Sequence, residues 1–307
     1  MKDSVTNPAA EDIVVRTSGG EPLRSYWLKP LLWLLVLILF FIKPLSALAV
    51  YALGSDLNSH IVLVPFIAGY VLSLRWRALP LSRASSYLPA AVLGAIGGAF
   101  LVAAIMSRTI SWNDHLALET SAFLCLLWAS GFVVLGREWM RAAAFPLAFL
   151  IFIIPMPEAM VDWLETASKY ASADAAGMFF TLFGVPNVRE GVVFHLPRIS
   201  IQVATECSGI RSSWVLFITS LLAAQLFLRS NWRRAILVAF VIPLGVIRNG
   251  FRIAVIGWLC VHYGPHMIDS PIHHRGGPIF FVLSLGPLFA LLWSLRRGDV
   301  DTAPASK

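Results

Sequence analysis

Residues 235–260 read AILVAFVIPLGVIRNGFRIAVIGWLC. The run is longer than the roughly 20 apolar residues that cross a bilayer. Its only strongly polar side chains are Arg248, Asn249 and Arg252. Similar apolar runs recur along the 307-residue chain, which is 58% hydrophobic and 13% charged. A soluble domain carries about 25% charged residues. The reading is therefore an all-α polytopic membrane protein with about eight transmembrane helices. They are expected at about 31–53, 60–75, 86–107, 115–135, 142–157, 208–228, 235–260 and 278–295.

Residues 27–297 form one membrane domain in this reading. Residues 1–26 are a polar cytoplasmic tail without a signal-peptide pattern, so the first span is expected to act as an uncleaved signal. Residues 298–307 are expected to be a disordered cytoplasmic tail. The net charge of +7 does not point to nucleic acid, because Lys and Arg collect at the ends of apolar runs. Arg75, Arg77 and Arg83 follow the second expected span, and Arg137 and Arg141 follow the fourth. Arg229, Arg233 and Arg234 precede the seventh, and Arg296 and Arg297 follow the last. Placing these in the cytoplasm with Lys2, Arg16, Arg24 and Lys29 puts both termini inside.

Residues 158–184 are long enough to cross but carry Glu158, Asp162, Glu165, Lys169 and Asp174. Apolar residues recur at Met160, Leu164, Ala167, Ala171, Ala175, Met178 and Leu182, which is helical spacing. This is read as an interfacial helix on the outer face. Then Val192, Phe194 and Leu196 alternate with other residues, as do Ile199, Ile201 and Val203 beyond Pro197-Arg198. That pattern predicts a short two-stranded hairpin.

The hairpin delivers the chain to Thr205-Glu206-Cys207-Ser208-Gly209-Ile210-Arg211-Ser212-Ser213. Cys207 is read as the start of the next helix, with Thr205 as its N-cap. A helix N-terminus favours thiolate, and Arg211 falls four residues on, on the same helical face. Glu206 opposes a thiolate unless it pairs with an arginine. Cys125 and Cys260 lie within apolar runs and read as packed core. Arg248, Asn249 and Arg252 are costly in an apolar helix and point to a polar interior rather than lipid. His273 and His274, in the loop before the last span, supply a side chain suited to proton transfer. Under the charge map all these groups share the outer side. Cysteine with histidine makes an activated nucleophile, and arginine can stabilise a thiolate or an oxyanion. No histidine or cysteine spacing specifies a metal site, and no cofactor is implied. A transporter or flippase with an anion path lined by Arg248, Asn249 and Arg252 is the alternative reading.

These motifs resemble those of the exosortase and archaeosortase family of membrane-embedded, sortase-like cysteine enzymes. Glu206-Cys207-Ser208-Gly209-Ile210-Arg211-Ser212 is similar to the family's nucleophile motif. Asn249-Gly250-Phe251-Arg252-Ile253 resembles its Asn-x-x-Arg motif, and His273 with Gly277 and Phe281 resembles its His-x-x-x-Gly-x-x-x-Phe pattern. Ser59-His60 and the Pro155-Met156-Pro157 turn also sit where the family has similar features. The resemblance implies Cys207, Arg252 and His273 as catalytic residues, with the adjacent His274 as the alternative to His273; Glu206, Arg211, Arg248, Asn249 and His274 are the candidate supporting residues. It implies a protease or transpeptidase at the outer face of a bacterial inner membrane. The substrates it implies are exported, membrane-anchored proteins that end in a sorting signal: a short motif of Pro-Glu-Pro type or a variant, a transmembrane helix and a basic tail. An acceptor nucleophile of unknown identity receives the acyl group.

Overall fold

A computed structural model describes residues 23–301 apart from 56, 81–83, 108, 198, 204–208 and 271–276. The expected site residues Glu206, Cys207, His273 and His274, and the cap Thr205, lie outside the described residues. The chain divides into two compact units, Met1–Glu158 and Ala159–Lys307. Five helices are long and apolar enough to cross a membrane, or up to seven if each of two bent helix pairs is one span.

In the first unit, α1 (Leu23–Phe40) and α2 (Ile42–Gly54) cover the first expected span but bend by 72° between them. Pro44 explains the break. It has no N–H for the Phe40 carbonyl, and its ring crowds that carbonyl. Phe41, at the bend, is buried and meets Phe123 edge to face at 5.5 Å. Helix α3 (Val64–Leu74) has only 11 residues because Pro65 marks a late start. Two further short helices are α6 (Arg137–Ala142) and α7 (Ala144–Phe149), the latter running into a 3-10 turn, Leu150–Ile153. At 1.5 Å per residue, α3 spans roughly 16 Å, about half the hydrocarbon thickness. The expected spans at 60–75 and 142–157 are therefore shorter than their apolar runs, and α3 and α7 pack against each other instead.

The long pair in this unit is α4 (Tyr87–Met106) and α5 (Trp112–Val134). They close at Gly97, where an added Cβ would lie 3.1 Å from Cys125 Cβ. Cys125 is thus packed core, as its sequence context suggests. At its N-terminus α5 is capped by the Ser111 hydroxyl, which accepts from Asp114 N at 3.2 Å. Asn113 accepts from Tyr51 Oη at 2.9 Å and donates to Met156 O at 2.7 Å. That second bond ties the Pro155-Met156-Pro157 turn to α5. Glu119, an isolated charge in α5, faces His115 Nδ1 one turn earlier at 3.5 Å.

The second unit begins with α8 (Glu158–Leu182, its first residue still in the first unit). Three antiparallel strands follow, β1 (Val188–Glu190), β2 (Val193–Leu196) and β3 (Ile199–Gln202), in the order β1-β2-β3. The anticipated hairpin is β2–β3, and β1 is an addition. Gly191, at φ +63°, turns the chain between β1 and β2. Three helices complete the unit: α9 (Ile210–Phe227), α10 (Asn231–Tyr263) and α11 (Gly277–Asp301). The last runs past Gly298, where the tail was expected to begin. Leu216, Leu237, Leu244 and Leu288 bring α9, α10 and α11 together in one core.

Of the apolar residues at helical spacing in α8, only Ala175 belongs to the face that packs within the unit, and an interfacial helix turns its apolar face to lipid. Met160, Met178 and Leu182 are 44%, 75% and 74% exposed. The buried stripe is Ser172, Ala173, Ala175, Ala176 and Phe180. Side-chain size, not apolarity, selects this face, because α10 approaches too closely for larger groups. A Cβ added at Gly250 would sit 2.5 Å from Ala175 Cβ, and one at Gly257 would sit 2.5 Å from the Phe180 ring. Small residues permit such crossings between membrane helices. The sheet closes over this pair: Phe194, Leu196, Ile201 and Val203 share a core with Ala173, Phe180, Ile253 and Ala254.

Candidate active site

The polar residues of the 235–260 run turn inward within the second unit. Arg248 is 7% exposed and Asn249 3% exposed. Adjacent helical residues point about 100° apart, so the two side chains reach different neighbours. Arg248 Nη2 donates to Gly209 O at 3.2 Å and to Ser213 Oγ at 2.9 Å. Asn249 Nδ2 donates to Ser172 Oγ of α8 at 3.0 Å. Ser172 is fully buried, so this bond satisfies a hydroxyl that has no access to water.

Both residues meet the start of α9. Gly209 is its N-cap and adopts a left-handed conformation, φ +72°. Asn249 packs where a side chain would otherwise go, because a Cβ at Gly209 would lie 3.0 Å from Asn249 Oδ1. The Gly209 carbonyl accepts from Ser213 N at 3.0 Å, from Ser212 Oγ at 3.0 Å and from Arg248. Only glycine combines this backbone conformation with so close an approach. The segment that leads out of Cys207 is therefore fixed at Gly209, two residues downstream.

Helix α9 begins at Ile210 with Gly209 as its N-cap; the expected cap Thr205 and the start at Cys207 lie outside the described residues. Arg211 lies in the first turn of α9 and is exposed. Arg252 stands one turn beyond Arg248 on α10 and is half-buried.

Arg248 carries one more feature. Its Nη1 is buried and has no hydrogen-bond partner among the described residues. Cys260 is fully buried toward the end of α10 and reads as core. His262 Nδ1 lies 2.9 Å from Trp258 O and its ring stacks on Trp258 at 4.3 Å, which accounts for it as a helix-end residue.

The structure thus joins Arg248 and Asn249, expected from sequence, with Ser172, Gly209 and Ser213, which sequence reasoning passed over. Gly209 had a signal, being a glycine directly ahead of a helical run. Ser172 and Ser213 had none, because small residues in a helix do not announce which neighbour they meet. Among the described residues no three His, Cys, Asp or Glu side chains group as metal ligands.

A protein-family model described as transmembrane exosortase matches residues 52–290. No curated protein and no solved structure matches the chain.

Proposed function

We propose, from the premise that this chain belongs to the transmembrane exosortase family, that it is a cysteine protease or transpeptidase acting on membrane-anchored proteins. Cys207 attacks the carbonyl carbon of the scissile peptide bond. Arg252 stabilises the thiolate and the tetrahedral oxyanion. The C–N bond then breaks, His273 gives its proton to the leaving amine, and the acyl group remains on sulfur as a thioester. His273 next takes a proton from the incoming nucleophile, which releases the product and frees the thiol. Water as nucleophile gives hydrolysis, and an amine or hydroxyl gives transfer. Arg248 and Asn249 position the Cys207 segment, and Glu206, Arg211 and His274 shape the surroundings.

The observation that carries this reading is the contact of Arg248 and Asn249 with Gly209. It sets the motif of α10 beside the segment that bears the cysteine. The reading extends to substrates with a C-terminal motif, an apolar helix and a basic tail. It places the reaction at the outer face of the inner membrane with both termini in the cytoplasm, from the distribution of Lys and Arg. The test is Cys207→Ala in a host that carries a tagged reporter ending in such a signal. Processing is expected to stop. Processing at the wild-type rate would remove the cysteine mechanism.

A further inference from the structure

Among the described residues, the sheet of the second unit has an unpaired edge along β3, the strand that precedes the cysteine in the chain. Val203 N donates to Val192 O at 2.9 Å. With the register Phe194↔Ile201 and Leu196↔Ile199, this sets the alternation between β2 and β3. Residues 199, 201 and 203 direct their backbone groups to β2, and Ser200 and Gln202 direct theirs away from it. Ser200 and Gln202 are exposed, and their backbone N–H and C=O groups bond to no other described residue. Unpaired edge groups of this kind accept an added strand.

The two edges of the sheet are not equivalent. β1 lies over α8, where Arg189 pairs with Asp174 at 2.7 Å. β3 packs on α10, with Ile201 and Val203 in the same core as Ile253 and Ala254. Ile253, in the core that β3 shares with α10, directly follows Arg252 in the chain. Five positions separate Gln202 from Cys207, at most roughly 17 Å of extended chain.

We infer that the substrate segment beside the scissile bond binds as an extended strand on the free edge of β3. This rests on the proposed function. Recognition through main-chain groups tolerates varied side chains, which suits an enzyme that reads a short motif on many proteins. An edge of four residues suits a short segment.

The test uses the full chain and the tagged reporter with its C-terminal motif, apolar helix and basic tail. Ser200→Pro removes an outward N–H and leaves the backbone bonds of β2 with β3 intact, since proline is tolerated on an edge; it also removes the bond of Ser200 Oγ with His195 Nδ1, so Ser200→Ala, which loses only that bond, is the control and is expected to process the reporter as the parent does. Reporter processing by Ser200→Pro is expected to fall more than tenfold, with maleimide labelling of Cys207 unchanged. A second measurement does not depend on how proline folds. The photo-cross-linker p-benzoylphenylalanine placed at Gln202 is expected to capture the reporter, and the same group at Val188 on β1 is expected to capture none. Wild-type processing by Ser200→Pro, or equal capture from both positions, overturns strand addition. If Cys207→Ala abolishes processing while either of those results is found, only strand addition falls. If Cys207→Ala still processes the reporter, the function and this inference fall together.

Discussion

Gly250→Ala opposes two effects whose magnitudes decide its sign. In a helix interior, alanine is favoured over glycine by about 1 kcal/mol. On that ground alone the variant would be more stable than the parent. The crossing of α8 and α10 reverses this. The new Cβ would lie 2.5 Å from Ala175 Cβ, 2.9 Å from Ala176 N and 3.0 Å from Ala175 C. Two of these three atoms are backbone, so no rotamer change relieves the contact, and the helices must separate by about 1 Å to reach ordinary carbon–carbon distances near 3.5–4.0 Å. Overpacking of this kind costs about 1–3 kcal/mol. Separation also stretches the neighbouring bond from Asn249 to Ser172, now 3.0 Å, beyond hydrogen-bond range. Leaving those buried groups unsatisfied costs a further 1–3 kcal/mol or so. The balance is a loss of about 1–5 kcal/mol.

The assay is thermal unfolding in detergent, followed by tryptophan fluorescence, with Gly98→Ala as the comparison. Gly98 lies within α4, and an added Cβ there meets nothing within 4 Å, so that variant is expected to match or exceed the parent. Gly250→Ala is expected to unfold at a lower temperature than both. Equal stability of the two variants would refute the close crossing, because helix propensity alone treats them alike.

Two other substitutions probe the start of α9. Gly209→Ala is expected to destabilise by roughly 1–2 kcal/mol from its left-handed backbone alone, and Asn249→Ala in the same chain should restore part of any additional loss; a strictly additive pair in thermal unfolding would separate Asn249 from Gly209. Arg248→Met removes the charged donors to Gly209 and Ser213 and is expected to slow reporter processing at least tenfold and to alter the pH profile of Cys207 alkylation, with Arg248→Lys restoring little because one ammonium does not match a planar guanidinium; full recovery by lysine would show that charge alone suffices.

Much of this architecture was legible because the signals were periodic or expensive. The spans in α4, α5, α9, α10 and α11 were visible as apolar length, and the β2–β3 strands as alternation. Arg248 and Asn249 were visible because polar groups in an apolar run demand partners. What stayed hidden depended on contact. The bend at Phe41 followed from one missing N–H at Pro44 inside an unbroken apolar run. The short α3 and the irregular end of α7 were masked for the same reason, since apolar length does not report where helical geometry stops. The packing face of α8 was not visible because alanine and serine carry little hydropathy signal, and closeness to Gly250 mattered more than apolarity.

Arg248 and Arg252 stand one turn apart, yet the structure assigns the first a neighbour set that explains its place. A guanidinium in an apolar helix is costly unless its donors are used. Two of the bonds from Arg248 end on Gly209 and Ser213, the cap and first turn of the helix that follows the cysteine. An arginine committed to those acceptors holds backbone in place and is poorly suited to follow a charge that appears and disappears on a reacting carbonyl. The half-buried Arg252 is the better candidate for that task, which agrees with the motif that singles it out. On this division of labour Arg248→Met should raise the barrier through misplacement of Cys207, whereas Arg252→Met should remove oxyanion stabilisation directly. Both then slow the reaction: Arg248→Met changes the reactivity of the thiol by moving the segment that carries it, and Arg252→Met by removing the charge that stabilises the thiolate.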